Sequence, residues 1–162
     1  MIIRKILTAV FILPLIYGCH HANNADTASA SASASASDFD VTLRTLDKFG
    51  QDASTFVQGE NITIVLAIKN VSAERKTLHF GSGQQYDFIV KDTNDTIMWR
   101  WSTGKVFIQS TTSYDIAPND THTVSITWDQ MTPGGVLPIG NYTLEAVDIG
   151  ISTIPKLSFS II

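Results

Sequence analysis

The sequence has a single cysteine, Cys19, and none in the longer part of the chain that follows it. A domain formed by residues 38–162 therefore has no disulfide, no zinc site with thiolate ligands and no cysteine nucleophile. It must be stabilised by its own hydrophobic core, and the 44% of hydrophobic residues is sufficient for one. The length leaves room after residue 37 for one ordinary domain but not for two.

Positive charge is also scarce. Lysine and arginine number 11 against 15 aspartate and glutamate residues, which gives a formal net charge of −4. Loss of an N-terminal leader containing Arg4 and Lys5 would make the chain more acidic still. No cluster of basic residues follows Lys5, and nucleic-acid binding depends on such clusters. We therefore expect no nucleic-acid partner.

The apolar run near the N-terminus is too short to cross a membrane. Ile6–Ile16 is interrupted by Thr8 and Pro14 and falls below the ~20 residues that span a bilayer. Its position directly after Arg4 and Lys5 is typical of a cleaved signal peptide.

The end of this signal, Leu15-Ile16-Tyr17-Gly18-Cys19, resembles the bacterial lipobox. The resemblance implies a lipoprotein signal peptide over residues 1–18 and acylation of Cys19, which would attach the chain to a membrane of the cell envelope. His20 stands where inner-membrane lipoproteins tend to have Asp, which implies the outer membrane in a Gram-negative cell. The alternative is an ordinary secretory signal that happens to contain a cysteine.

Residues 19–37 have small and polar side chains after the cysteine and end in the alternating run Ala28–Ser37. This composition predicts a flexible linker with a reach of roughly 20–25 Å. The adjacent His20 and His21 are able to bind a metal ion weakly, but without further ligands we interpret them as linker residues.

Alternation of apolar and polar residues dominates the chain after Phe39, and no stretch has the period of an amphipathic helix. Ile62, Ile64, Leu66 and Ile68, for example, share one face, which should line a core. The pattern predicts nine strands, at Phe39–Leu46, Asn61–Asn70, Lys76–Phe80, Tyr86–Asp92, Thr96–Trp101, Ser113–Ile116, Thr121–Trp128, Asn141–Ile149 and Lys156–Ile162.

Nine short strands without helices indicate an all-β fold. At this length we expect an immunoglobulin-like antiparallel β-sandwich over residues 38–162. Tyr142 enters a late strand after Gly140, which is the arrangement of a tyrosine corner. Trp99, Trp101 and Trp128 follow the strand alternation and are expected in the core or at its rim.

Several segments of the chain carry a resemblance to a known family: Phe80–Val90, Trp99–Ser102, Phe107, Trp128 and Gly140–Tyr142. In order and spacing, over roughly residues 61–147, they resemble the BsuPI family, the intracellular proteinase inhibitor domain. The resemblance implies an immunoglobulin-like sandwich and inhibition of serine proteinases. The motif residues, which we interpret as structural, are Gly83, Tyr86, Asp87, Trp99, Trp101, Trp128, Gly140 and Tyr142.

The segment Gly81–Tyr86 is similar to a glycine-rich phosphate loop. Its third glycine is missing, and a strand follows where the N-terminus of a helix would have to hold the phosphate. We interpret the segment as a turn in which Gly81 and Gly83 adopt positive φ.

The body also contains residue types found in catalytic sites. Ser82, His79 and Asp87 lack the strand-to-helix elbow that presents a serine nucleophile. His79 and His122 are the only histidines after the linker, too few for a typical catalytic zinc site. We predict no enzymatic activity and expect both histidines on strand surfaces.

Asp92, Asn94 and Asp95 lie in one predicted turn and offer oxygen ligands for calcium. An EF-hand loop would also need its glycine and a bidentate acid further along, and both are missing. We therefore predict neither a metal site nor a cofactor.

Two loops remain as candidate surfaces for a protein partner. Residues 102–112 contain Lys105, Val106, Phe107 and Ile108, and residues 129–139 contain Met131, Pro133, Val136 and Leu137. Prolines reduce the entropy that a loop loses on binding, which favours recognition. The alternative is that Phe107, Val136 and Leu137 only cover the ends of the sandwich.

The sequence thus predicts a membrane-anchored envelope lipoprotein with a non-catalytic, BsuPI-like protein-binding domain that inhibits a proteinase, with a serine proteinase as the expected partner. The alternative is a structural or assembly lipoprotein that docks another envelope component without inhibiting a proteinase.

Overall fold

The computed structural model describes residues 38–147, 150–152 and 155–162. These residues belong to one of two units into which the chain divides, Ala32–Ile162. The predicted signal peptide, Cys19 and the predicted linker of residues 19–37 lie outside the described residues. Within the described ranges, no helix has the length and apolar character needed to span a membrane.

The described residues form twelve strands and no α-helix. The strands are β1 (Phe39–Leu46), β2 (Thr55–Phe56), β3 (Ile62–Asn70), β4 (Lys76–Phe80), β5 (Asp87–Lys91), β6 (Ile97–Arg100), β7 (Thr112–Ile116), β8 (Thr121–Trp128), β9 (Met131–Thr132), β10 (Gly135–Val136), β11 (Gly140–Val147) and β12 (Lys156–Ile161). All nine predicted strands are present. The three that were not predicted, β2, β9 and β10, have two residues each, too few to show an alternation.

Two larger sheets make up the sandwich. One has the order β1-β3-β8, and the other has the order β2-β12-β11-β5-β6. Strands β4 and β7 form a separate antiparallel pair, as do β9 and β10. Every pairing is antiparallel except that of β2 with β12. The predicted all-β, immunoglobulin-like sandwich is confirmed.

The core lies between the two sheets. Ile62, Ile64, Leu66 and Ile68 on one face of β3 are each at most 1% exposed, as the alternation predicted. Burial of each such side chain contributes about 1.5–3 kcal/mol relative to exposure. The second sheet supplies apolar residues that include Phe88, Val90, Leu144 and Phe159.

Trp99, Trp128 and Phe159 connect the two sheets through their rings. Trp99 of β6 stacks on Trp128 of β8 with ring centroids 4.6 Å apart. Trp128 also meets Phe159 of β12 edge to face at 6.5 Å. These contacts explain the position of Trp128, which is 4% exposed.

Tyr142 forms the predicted tyrosine corner. Its hydroxyl donates a hydrogen bond to the carbonyl oxygen of Pro138 at 2.7 Å. The ring is buried, and this burial raises the pKa of the phenol. The bond fixes the segment 138–142, where the chain leaves the second candidate loop and enters β11.

Candidate functional site

The first candidate loop, residues 102–112, begins on a buried carboxylate. Asp87, at the start of β5, is 2% exposed. Its carboxylate accepts hydrogen bonds from the backbone N–H of Ser102 at 3.0 Å and from the Ser102 hydroxyl at 2.7 Å. Arg100, the last residue of β6, donates to the same carboxylate at 2.9 Å. The first residue of the loop is therefore fixed to the β5–β6 hairpin. We call residues 102–112 the Val106 loop.

Aromatic packing supports the base of the Val106 loop. The ring of Trp101 lies 4.5 Å from that of Tyr86 and 5.9 Å from that of Phe107, between centroids. The ammonium group of Lys105 lies 4.6 Å from the centroid of the Trp101 ring, within cation–π range. Burial raises the pKa of the Tyr86 phenol. Lys105 and Phe107 are thereby both turned toward their own domain.

The far side of the loop is held by Gly83. Its N–H donates to the carbonyl oxygen of Ile108 at 2.9 Å. A Cβ on Gly83 would lie 2.6 Å from Cγ1 of Ile108, closer than real atoms approach. The prediction of positive φ at Gly81 and Gly83 is wrong, because neither is among the residues with positive φ. Gly83 serves instead to let Ile108 come close.

Between these fixed ends, the apex of the Val106 loop projects into solvent. Val106 is 97% exposed and Ile108 is 67% exposed. Residues 105–108 belong to no strand. Among the described residues, the backbone N–H and C=O of Val106 have no hydrogen-bond partner, whereas the N–H of Lys105 donates to Ser102 and the C=O of Phe107 accepts from Gln109. The apex is thus exposed in both side chain and backbone.

The second candidate loop, residues 129–139, is a short hairpin that we call the Met131 loop. Val136 pairs with Met131 and Gly135 with Thr132. The indole N–H of Trp128 donates to the carbonyl oxygen of Met131 at 3.1 Å. Met131 is 47% exposed, and its backbone N–H donates to the carboxylate of Asp129 at 3.0 Å; Val136 is 43% exposed.

Leu137 corrects one part of the sequence-based expectation. It was predicted to be presented to a partner, but it is completely buried and belongs to the core. Phe107 is half-buried on Trp101, while Val136 stays exposed. The alternative was that these three residues cover the ends of the sandwich. It therefore fits Leu137 best and Val136 least.

Gln130 shapes the Met131 loop and was not predicted. It is completely buried and has a φ of 61°. Its side-chain N–H₂ donates to the carbonyl oxygens of Val57 at 2.9 Å and Glu60 at 2.8 Å, and its side-chain oxygen accepts the N–H of Gly59 at 2.9 Å. These partners precede Gln130 by about 70 residues, and no local pattern in the sequence indicates them.

A groove of about 520 Å³ lies between the two loops. Strand β6 forms one wall, with Met98, Trp99 and Trp101. Lys105 comes from the Val106 loop, and Met131 and Pro133 come from the Met131 loop. The structure therefore brings these three predicted residues together, whereas Val106, Phe107, Ile108 and Val136 do not line the groove.

The residues that were considered as catalytic or metal-binding candidates make other contacts in the structure. The carboxylate of Asp87 is engaged by Arg100 and Ser102. The backbone N–H of Thr96 donates to Asp92 and, as the leading cause, lowers the pKa of that exposed carboxyl within its turn. Within the described part of the chain, no three His, Cys, Asp or Glu residues converge as metal ligands would. His79 is exposed on β4, and His122 is half-buried on β8 beside the ring of Tyr114.

Comparison with known proteins identifies the family. Residues 49–150, more than half of the chain, match the sequence model of the BsuPI family, whose description is intracellular proteinase inhibitor. The chain belongs to the BsuPI family. The BsuPI match contains both candidate loops and every residue that builds their base, including Gly83, Asp87 and Trp101. No curated protein matches the sequence.

The solved structures that match the chain are distant from it. A β-glucosidase from Erythrobacter marinus is 7% identical, with a TM-score of 0.45, and a β-glucosidase from Listeria innocua in complex with gluconolactone is 11% identical, with a TM-score of 0.44. An alkylpurine DNA glycosylase from Pseudomonas fluorescens is 9% identical, with a TM-score of 0.46. Each alignment covers 76% of the BsuPI chain, which spans only 15%, 16% and 30% of those proteins in the same order.

Proposed function

We propose that this chain inhibits a serine proteinase by inserting the Val106 loop into the active-site cleft. The observation that carries the proposal is the exposed apex at Val106, held between the Asp87–Ser102 hydrogen bonds on one side and the Gly83–Ile108 contact on the other. Membership of the BsuPI family supports the same function.

The shape of the loop suits this role for a physical reason. A proteinase binds a peptide in extended form and makes hydrogen bonds to its backbone, so a bound segment needs free N–H and C=O groups. Val106 offers both, within the described part of the chain. Because the two ends of the loop are already fixed, the loop loses little conformational entropy on binding. The fixed ends thus have the effect that disulfides have in other small proteins.

We further propose that the domain is non-catalytic and works in the cell envelope, in the outer membrane if the cell is Gram-negative. Support comes from the lipobox-like sequence that ends at Cys19 and from the Ala/Ser linker, which is long enough to separate a domain from a lipid surface. Replacement Cys19→Ala should move the protein from the membrane fraction to the soluble fraction. Retention of the Cys19→Ala chain in membranes would contradict lipid anchoring.

Inhibition is tested with the chain from His20 onward, which contains all described residues. It is titrated into a panel of serine proteinases at known active-site concentration. We expect residual activity to fall linearly to an end point near one inhibitor per enzyme, with the chain intact on a gel. Steady degradation of the chain, or full activity of every enzyme, would contradict the proposal.

A second function, docking of another envelope component without inhibition, is favoured by the groove. Among the described strands, β6 pairs with β5 on one side and with none on the other, so a backbone edge beside Met98 and Trp99 is available for pairing. An extended segment of another protein could pair with this edge. Capture from detergent-solubilised envelopes separates the two functions, because a proteinase among the partners supports inhibition and an assembly protein supports docking.

A further inference from the structure

The three residues at the apex of the Val106 loop differ in what they can offer an enzyme. Lys105 has its ammonium group over the ring of Trp101, and Phe107 packs its own ring against the same indole. Val106, between them, is 97% exposed. Only the valine side chain projects away from the domain.

The other exposed apolar residues of the two loops are less suited to enter a cleft. The carbonyl of Ile108 accepts the N–H of Gly83, and its side chain packs against that glycine. The backbone N–H of Met131 donates to the carboxylate of Asp129 and its C=O accepts the indole N–H of Trp128, and Val136 is only 43% exposed. Val106 has the most exposed apolar side chain of the two described loops, 97% against 68% for Ile139, and its backbone has no hydrogen-bond partner among the described residues.

Valine restricts the kind of pocket that it can fill. A trypsin-type pocket needs a cation to pair with its buried aspartate, and a chymotrypsin-type slot is left mostly empty by a short side chain. A small apolar pocket of the elastase type matches the volume of the two methyl groups of valine. The β-branched side chain also has few rotamers to lose on binding.

We propose that Val106 fills the primary specificity pocket and that the target is a proteinase with a small apolar pocket of the elastase type. This inference rests on the proposed inhibitory function of the same loop. It assigns the selectivity to one residue, with Lys105 and Phe107 turned back to support the loop.

The test compares the parent chain with Val106→Lys and Val106→Phe against three proteinases, of elastase, trypsin and chymotrypsin type. We expect the parent to inhibit the elastase-type enzyme at least about 100-fold more tightly than the other two. The lysine variant should shift its preference by tenfold or more toward the trypsin type, and the phenylalanine variant toward the chymotrypsin type. Thermal midpoints should stay unchanged, because Val106 is almost fully exposed.

The matched control is Val71→Lys, since Val71 is a valine that is 50% exposed and lies outside both loops. It should leave the selectivity of the parent unchanged. If the Val106 variants keep the parent's selectivity while inhibition persists, the assignment of Val106 is wrong and the inhibitory function stands. If the parent inhibits none of these three enzymes but inhibits another serine proteinase of the wider panel, the assignment of Val106 is wrong and the inhibitory function stands; if it inhibits no enzyme of the panel, both are wrong.

Discussion

Ser102 donates two hydrogen bonds to one buried carboxylate, that of Asp87, from its backbone N–H at 3.0 Å and from its hydroxyl at 2.7 Å. The pair joins the start of β5 to the first residue of the Val106 loop. It gives a physical role to the motif residue Asp87 and to Ser102, which lies 15 positions later at the end of the segment Trp99–Ser102.

Asp87→Asn should destabilise the domain by about 2–3 kcal/mol, because a buried, charge-assisted network loses one acceptor and its charge. The measurement is the urea midpoint at unchanged m-value. Asp115→Asn is the control, since Asp115 is exposed and its carboxylate accepts only the hydroxyl of Thr77 in the described contacts. Equal losses in the two variants would mean that Asp87 has no special role.

Gly83→Ala should cost about 1–3 kcal/mol through overpacking against Ile108. Gly81→Ala should be nearly neutral, because no atom lies within 4 Å of a Cβ built there. Ile108→Ala should recover most of the loss in the double variant, since it removes the atom that clashes. A double-mutant cycle measures this coupling, and additive effects would contradict the close contact.

Tyr142→Phe should cost about 1 kcal/mol, the net value of one hydrogen bond, because it removes the bond to Pro138 and keeps the ring. The thermal midpoint reports the loss. Tyr114→Phe is the matched control, because it also removes a hydroxyl, but from an exposed tyrosine. It should change the thermal midpoint little. A Tyr142→Phe chain as stable as the parent would show that the corner bond does not stabilise the fold.

Glu145 should make stability depend on acid pH. It is 6% exposed, and its carboxylate contacts the ammonium groups of Lys91 at 2.8 Å and Lys156 at 2.7 Å. Burial acts to raise the pKa of Glu145, but the hydrogen bonds from Lys156 and Lys91 outweigh it, so the pKa in the folded state lies below its ordinary value of 4.5. The contribution is therefore complete above about pH 4.5 and is lost as the pH falls through the lowered pKa.

The variant Glu145→Gln is compared with the control Glu74→Gln, because the carboxylate of Glu74 is exposed. Urea unfolding between pH 3 and pH 7 should show a smaller rise in stability with pH for Glu145→Gln than for the parent. Glu74→Gln should follow the parent. A parallel curve for Glu145→Gln would exclude the ion-pair contribution.

The strands and the core face were predictable from the sequence alone. Alternation with a period of two follows from backbone geometry, so each strand shows its buried face locally, as Ile62 and Ile64 do. The tyrosine corner at Tyr142 was also predictable from local sequence, because its hydrogen-bond partner lies only four residues away.

The arrangement of the loops was decided by the tertiary structure. Leu137 is in the core and Val106 in solvent, although both are aliphatic loop residues. Gln130 determines the course of the Met131 loop through partners up to 73 residues away, and Gly83 is required by a side chain from another segment. Such contacts join residues remote in the chain, and no periodicity records them. The sequence determined which segments are strands and which residues face inward, but only the packing of the sheets determined which side chain the loop presents.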